Sequence, residues 1–320
     1  MKVADLELRP ATLDDAAFVA DVQTEVHPDD PVDPQLLRHF WTLVGPETTV
    51  ERFIASLNGA PVGVATRSHQ AWAKMPERFG RVGMELGPSA RTAARLDALA
   101  GAMEERSIAD GTTKATVWAW EHDALELGVL SGRGYREERR QRFWELDLVA
   151  NRERIQKMTD KSRARMRTDG IEILTLARDT DPDKFHKLQR MSDEAESDIP
   201  TTVPNVPLAF EQFVLWFKSP GLHEDRIWIA RESDDIVGVS QLSYPPVRGV
   251  VATDWTGTAR KVRGRGVARA LKCETLMQAM VLGVDRVRTD NDSTNVPILH
   301  INETMGYTRR PDGIQLLKEL

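Results

Sequence analysis

The second half of this chain restates its first, and no other feature constrains the fold as tightly. Gly63-Val-Ala-Thr returns as Gly238-Val-Ser-Gln, and Gly134-Tyr135 returns as Gly306-Tyr307, at separations of 175 and 172 residues. Two landmarks at nearly one long period mark a duplicated domain rather than a solenoid of short repeats. Each copy reads as strand, two helices, three strands, helix, strand, helix, strand. That alternation belongs to the α/β class, here with a mixed central sheet flanked by helices. The boundaries follow as 1–150 for the first copy, 151–170 for a connector and 171–320 for the second.

Local signals support this layout. In the first copy, Leu6 to Pro10 reads as a strand, Leu13 to Val26 as a helix capped by Thr12, and Gln35 to Leu43 as a second helix. Glu51 to Leu57 and Pro61 to Arg67 pair across Asn58-Gly59, a strong hairpin signal. Arg81 to Leu86 is a strand, Ala93 to Ala109 a helix, Ala115 to Trp120 a strand and Ala124 to Ser131 a helix; Gln141 to Leu148 is expected to close the unit. In the second copy, Ile171 to Leu176 is a strand, Asp183 to Glu196 and Phe210 to Phe217 are helices, and a hairpin turns at Ser233 to Asp235. Between the copies, Asn151 to Asp169 carries seven Lys/Arg against three acidic residues and reads as a connecting helix with a solvated basic face.

Composition removes several function classes. A net charge of −6 argues against a duplex nucleic-acid binder. No apolar run is long enough to span a bilayer and no secretory leader is visible, so a cytoplasmic protein without membrane partners is expected. The single cysteine, Cys273, rules out an internal disulfide and reads as a packed helix residue. The histidines lack metal-ligand spacing, so no metal is expected.

The chemistry concentrates at Arg263-Gly264-Arg265-Gly266-Val267-Ala268-Arg269, where a strand ending near Thr258 gives way to a helix. Glycines at such a junction serve positive φ or a close backbone approach. The unpartnered N–H groups of the helix start favour an anion, and three arginines reinforce that preference. A dinucleotide fingerprint would need a third glycine at Arg269, and a Walker loop is absent. Some thirty residues on, Asn295 to Tyr307 supplies a strand exit, an Asn-containing loop, a helix and Gly306-Tyr307.

Together the two segments resemble the GCN5-related N-acetyltransferases (GNAT), whose pyrophosphate loop is Arg/Gln-x-x-Gly-x-Gly/Ala. The resemblance covers residues 171–320 and, more weakly, 1–150, in a tandem layout similar to that of mycothiol synthase and related enzymes. It implies two tandem GNAT-like domains with a splayed strand pair, and acetyl-CoA as donor. Backbone N–H groups of Arg265 to Ala268 would hold the pyrophosphate, with Arg263 and Arg269 adding charge. Pantetheine would lie between the strand that includes Thr256, Gly257 and Thr258 and the strand Val287 to Asp290, and an N–H near Thr256 would polarise the thioester. Direct transfer to an amine needs a proton acceptor. Asp254, read as sharing a strand face with Thr256, is the candidate for that role or for an arginine pair. Where the family often has a tyrosine acid, this chain has Asn302, which cannot act as an acid; it would hydrogen-bond the pantetheine or the sulfur, or Tyr307 or water would give the proton. Asn295 either caps its helix or touches the cofactor arm.

The acidic segment with Asp193, Glu194, Glu196 and Asp198 would attract a cationic amine or form a solvated helix end. The implied acceptor is a small-molecule amine. A protein or peptide amine, or a non-catalytic acyl-CoA-binding regulatory module, are the alternatives, in a monomer or homodimer. The matching turn of the first copy, Gly87 to Arg91, lacks the second glycine and carries Pro88, so only the second copy is expected to hold the donor.

Overall fold

The computed structural model describes residues 1–320. The first copy runs β1 (Lys2–Val3), β2 (Leu6–Pro10), α1 (Ala16–Val26), α2 (Pro34–Thr42), β3 (Thr48–Leu57), β4 (Ala60–Gln70), β5 (Phe79–Leu86), α3 (Ala93–Ala109), β6 (Lys114–Trp120), α4 (Ala124–Gly132) and β7 (Arg136–Asp147). The connector is α5 (Arg152–Thr168). The second copy runs β8 (Glu172–Thr175), α6 (Lys184–Glu196), α7 (Phe210–Trp216), β9 (Ile227–Glu232), β10 (Asp235–Ser243), β11 (Ala252–Thr258), α8 (Val267–Val281), β12 (Arg286–Asp292), α9 (Val296–Met305), β13 (Thr308–Arg309) and β14 (Gly313–Glu319). Asn58 and Gly59 both take positive φ, 52° and 82°, as the tight turn between β3 and β4 requires. No helix is long and apolar enough to cross a membrane.

All strands join one sheet in the order β1-β2-β3-β4-β5-β6-β14-β7-β12-β11-β10-β9-β8, with β13 paired to β7. Only β5/β6 and β11/β12 are parallel, and both pairs separate soon after they meet. β5 and β6 stay in register for three positions, ending at Arg81↔Thr116. β11 and β12 meet only at Ala252↔Arg288, so β11 beyond Ala252 shows one edge without a strand partner.

The strand expected to close the first unit instead serves both. β7 runs unbroken through Gln141. Its first part pairs with β14 from Arg136↔Leu317 to Gln141↔Gly313, and its second part pairs with β12 from Gln141↔Asp292 to Asp147↔Arg286. β14 in turn inserts between β6 and β7. The copies have thus exchanged their last strands, and the cores follow the exchange. Ile314 and Leu316 pack in the first core with Leu96, Leu99 and Met103, whereas Trp144, Leu146 and Leu148 pack with Leu276, Val287 and Met305 of the second. Each such side chain contributes about 1.5–3 kcal/mol by burial.

Helix α5 is more than a solvated connector. Its polar face is basic as expected, but Ile155, Thr159 and Met166 are buried, and Arg163 pairs with Glu274 of α8 at 2.6 Å. The stripe seats α5 along α8, which brings its last turn to the glycine junction.

Candidate active site

The junction after β11 is built to leave donors unused. Gly264 (φ 75°) and Gly266 (φ 87°) both occupy the left-handed region, and Gly266 is the N-cap of α8. Their N–H groups engage no protein acceptor, and those of Val267, Ala268 and Arg269 open the helix, where no intrahelical partner exists. Arg265 N–H is spent on Val262 O at 3.3 Å, so the cradle is shifted one step from the expected span.

The arginines divide by task. Arg263 pairs with Asp198 at 2.7 Å, and Arg265 pairs with Glu232 at 2.7 Å while donating to Asp169 O. Arg269 forms no ion pair, and its buried Nε has no partner. Arg165, from the end of α5, donates to Gly264 O at 3.3 Å and lies over Gly266. Nothing in the sequence marks Arg165, because its approach depends on how α5 docks on α8. Two of the expected acceptor carboxylates also belong to this junction. Glu194 accepts from Arg260 N–H, and Asp198 is held by Arg260 and Arg263, which keep its carboxyl well below the usual range. The structure gives them to the loop and not to the open side of the cleft.

The splayed strands lead from the junction to Asp254. The β10/β11 register slips between Gln241↔Trp255 and Leu242↔Thr253, so Asp254 is the extra residue of a bulge. Simple alternation fails there. Thr256 faces α8 with Ser240, their hydroxyls 2.9 Å apart, whereas Asp254 turns with Gln241 and Trp255 towards α6 and α7. The expected common face of Asp254 and Thr256 is therefore corrected. Trp216 Nε1 and Gln241 Nε2 donate to one carboxylate oxygen of Asp254 at 3.0 and 2.6 Å. No cation pairs with it, so the arginine-pair reading is not realised. Burial pushes its carboxyl above the usual range, and Asp290 across the split adds to this.

Asp290 accepts from Gln141 at 2.5 Å and is itself raised by the surrounding protein mass and by Asp30, which reaches over from the first copy and pairs with Arg288. Asp193 and Glu196 on α6 are raised by the protein around them and likewise have no ion pair. Gly257 is packed so closely against Trp255 and Ala195 that a Cβ would fall 2.9 Å from Trp255. Thr258 ends the strand at the turn.

Beneath the split lies a closed layer. Asn302 is fully buried; its Nδ2 donates to Asn291 at 2.6 Å and its Oδ1 has no partner. Asn295 precedes α9 without a side-chain cap bond, so capping is not its task and its amide is free. Tyr307 is buried beside Thr253, and burial drives its hydroxyl far above the ordinary tyrosine value. Cys273 is fully buried, its thiol pushed up to about 11, in keeping with a packing residue. Lys272, 2% exposed, rises from α8 into this layer.

The first copy fills the same place with its own charges. The helix after its turn is capped by Thr92, whose hydroxyl accepts from Arg95 N–H at 3.3 Å. Arg91 bridges Glu85 on β5 to Asp123 and Glu126 at the start of α4, spanning the gap beyond Arg81↔Thr116. Burial among these groups pushes Glu126 up to about 8.

No family model and no curated protein sequence matches the chain. Solved structures do. A tandem GNAT protein from the clavulanic acid biosynthesis pathway is 14% identical over 98% of each chain, with a TM-score of 0.73. A GCN5-related N-acetyltransferase from Sphaerobacter thermophilus is 17% identical over 100% of this chain and 97% of that one, with a TM-score of 0.69. A GCN5-related glucosamine N-acetyltransferase region of a fungal multi-domain GH3 β-N-acetylglucosaminidase is 13% identical over 99% of this chain and 38% of that one, at 0.66. The likenesses establish the fold, two GNAT domains in tandem.

Proposed function

We propose, with the tandem GNAT fold as premise, that the chain is an N-acetyltransferase moving an acetyl group from acetyl-CoA to a small primary amine through its second copy. One observation carries the reading: the free N–H groups at Gly264 and Gly266 open onto a split sheet that leads to a half-buried carboxylate without an ion pair, Asp254. The junction fits a pyrophosphate. Gly264 and Gly266, with the first turn of α8, would hold its oxygens; Arg269, free of any ion pair, and Arg165, which also lies 3.7 Å from Asp169, supply charge. The exposed edge of β11 would pair with the pantetheine amides. Acetyl-CoA, once bound, supplies the electrophilic acyl carbon.

The remaining chemistry belongs to side chains of this chain. Asp193 and Glu196 on α6 and Asp290 on β12 give the cleft a field that attracts a cationic amine. A cationic amine gives one proton to solvent on binding, and Asp254 takes the second, which nitrogen sheds as it attacks. Trp216 and Gln241 fix the carboxylate by bonding one oxygen and leaving the other available. A raised proton affinity suits a general base working near neutral pH. The first copy, its own cleft bridged by Arg91, walls the acceptor side through Asp30 and Asp33. Asp33 accepts from Val247 and Arg248 N–H at 2.7 and 3.0 Å.

Two measurements test this. Calorimetry with acetyl-CoA reads donor binding, and release of CoA thiol over polyamines, amino sugars, amino acids and peptides reads transfer. Binding without any acceptor-dependent release would refute the enzyme reading in favour of a binding module; release only with peptides would move the acceptor class.

A further inference from the structure

Lys272 is the charged side chain of the closed layer, and no acceptor in the chain bonds to it. It makes no hydrogen bond and no ion pair, although only 2% of it is exposed. Its Nζ stands 5.4 Å from the centre of the Tyr307 ring, a contact that stabilises an ammonium but accepts none of its protons. The titratable groups around it are Cys273 on its own helix, Tyr307 after α9, and Asp290 on β12. A buried ammonium with three unused donors is costly. It persists where a ligand group is to meet it.

The reaction proposed above lacks an acid for its leaving group. Asn302 cannot supply one, since an amide does not ionise here and its Nδ2 is already committed to Asn291. Tyr307 holds its proton too tightly, and Cys273 is packed with its thiol raised. We propose that Lys272 Nζ is the proton donor to the CoA sulfur that leaves. The inference rests on acetyl-CoA being the donor. As the new C–N bond forms, the C–S bond breaks and its electron pair stays on sulfur. Lys272 passes one Nζ proton to that sulfur, while the proton shed by the amine goes to Asp254. Solvent entering through the split reprotonates Lys272 and deprotonates Asp254, so amine plus thioester gives amide plus thiol with nothing left over. Burial lowers Lys272 to about 8, a proton affinity close enough to a thiol's for transfer in either direction.

The test needs no acceptor. Ultraviolet absorbance of the thiolate is followed against pH for CoA bound to the whole protein, with desulfo-CoA complexes as the blank so that Cys273 cancels. An ammonium beside the sulfur should lower the bound thiol's pKa by about one unit relative to free CoA, a roughly tenfold larger thiolate fraction at a fixed pH. In Lys272→Met and Lys272→Gln the bound thiol should titrate at or above the free value, with the dissociation constant of CoA changed only a few-fold. A wild-type complex whose thiol titrates like free CoA overturns the proposal without any variant, as does a lowered value that survives in the variants. Failure of the wild type to bind CoA overturns the donor reading itself, and this inference with it.

Discussion

Lys272 also makes a prediction about stability that is independent of any ligand. Its proton affinity falls from the ordinary 10.5 to about 8 on folding, because the charged form loses its hydration. At about 1.4 kcal/mol per pH unit, that difference costs the native state about 3 kcal/mol at pH 7. Between pH 8 and 10.5 the unfolded chain holds the proton and the folded chain does not, so stability should rise with pH in that window. Below it the full cost is present, and above it the cost is gone. Lys272→Met keeps the length and apolar stem but removes the charge. The variant should therefore melt higher than wild type at pH 7, by roughly 5–10 °C for a unit of this size. The gap should close as the pH approaches 10.5. Paired melting curves at pH 7 and pH 10 measure both quantities, since other groups titrate alike in the two proteins. A variant that melts lower at pH 7, or a gap that does not shrink at pH 10, would show that the ammonium is satisfied and would refute the reasoning.

Other expectations follow from the site and the sheet. Gly266→Asp places a side chain at φ 87° and a negative charge at the helix start; acetyl-CoA affinity should drop by at least ~100-fold in calorimetry. The control belongs at Thr92, the exposed N-cap of α3; Thr92→Asp should leave affinity unchanged. Asp254→Asn should lower acceptor-dependent CoA release by ~10²–10⁴-fold with donor binding intact, and in the wild type the rate should fall with acid at a pH above the usual carboxylate range. Unchanged turnover would remove Asp254 as the base. Leu316→Ala should cost about 2–5 kcal/mol and release amide protection in β6 and α3 of the first copy rather than in α8. Protection lost instead from α8 would contradict the exchanged core.

Much of this molecule is readable in one dimension because its signals are local. Asn58-Gly59 fixes a hairpin whatever surrounds it, and the α3 boundaries at Ala93 and Ala109 follow from a cap and a periodic stripe. The glycine junction is legible for the same reason: positive φ at Gly264 and Gly266 is a property of those residues. What stayed hidden depends on distant partners. Alternation places Asp254 with Thr256, and only the register with β10 reveals the bulge that turns it to the other face. Arg165 reads as one more basic residue until α5 docks on α8. Lys272 sits in a run from Ala270 to Leu276 that is buried throughout, so no periodicity separates it from its neighbours. Strand order is the extreme case, since the pairing of β14 with β6 leaves no trace in either segment.

The shared sheet also sets a timetable for synthesis. The register Trp120↔Gly313 joins positions about 200 residues apart, so the first core cannot be completed when its own helices emerge from the ribosome. At 5–20 residues per second, the open place beside β6 waits ~10–40 s for its strand. During that interval β6 offers an unpaired edge, the kind of surface that recruits wrong partners. The charges Arg136, Glu137, Arg139 and Arg140 at the start of β7 stand next to that open place. Such charges guard an edge that is bare only while the chain is being made.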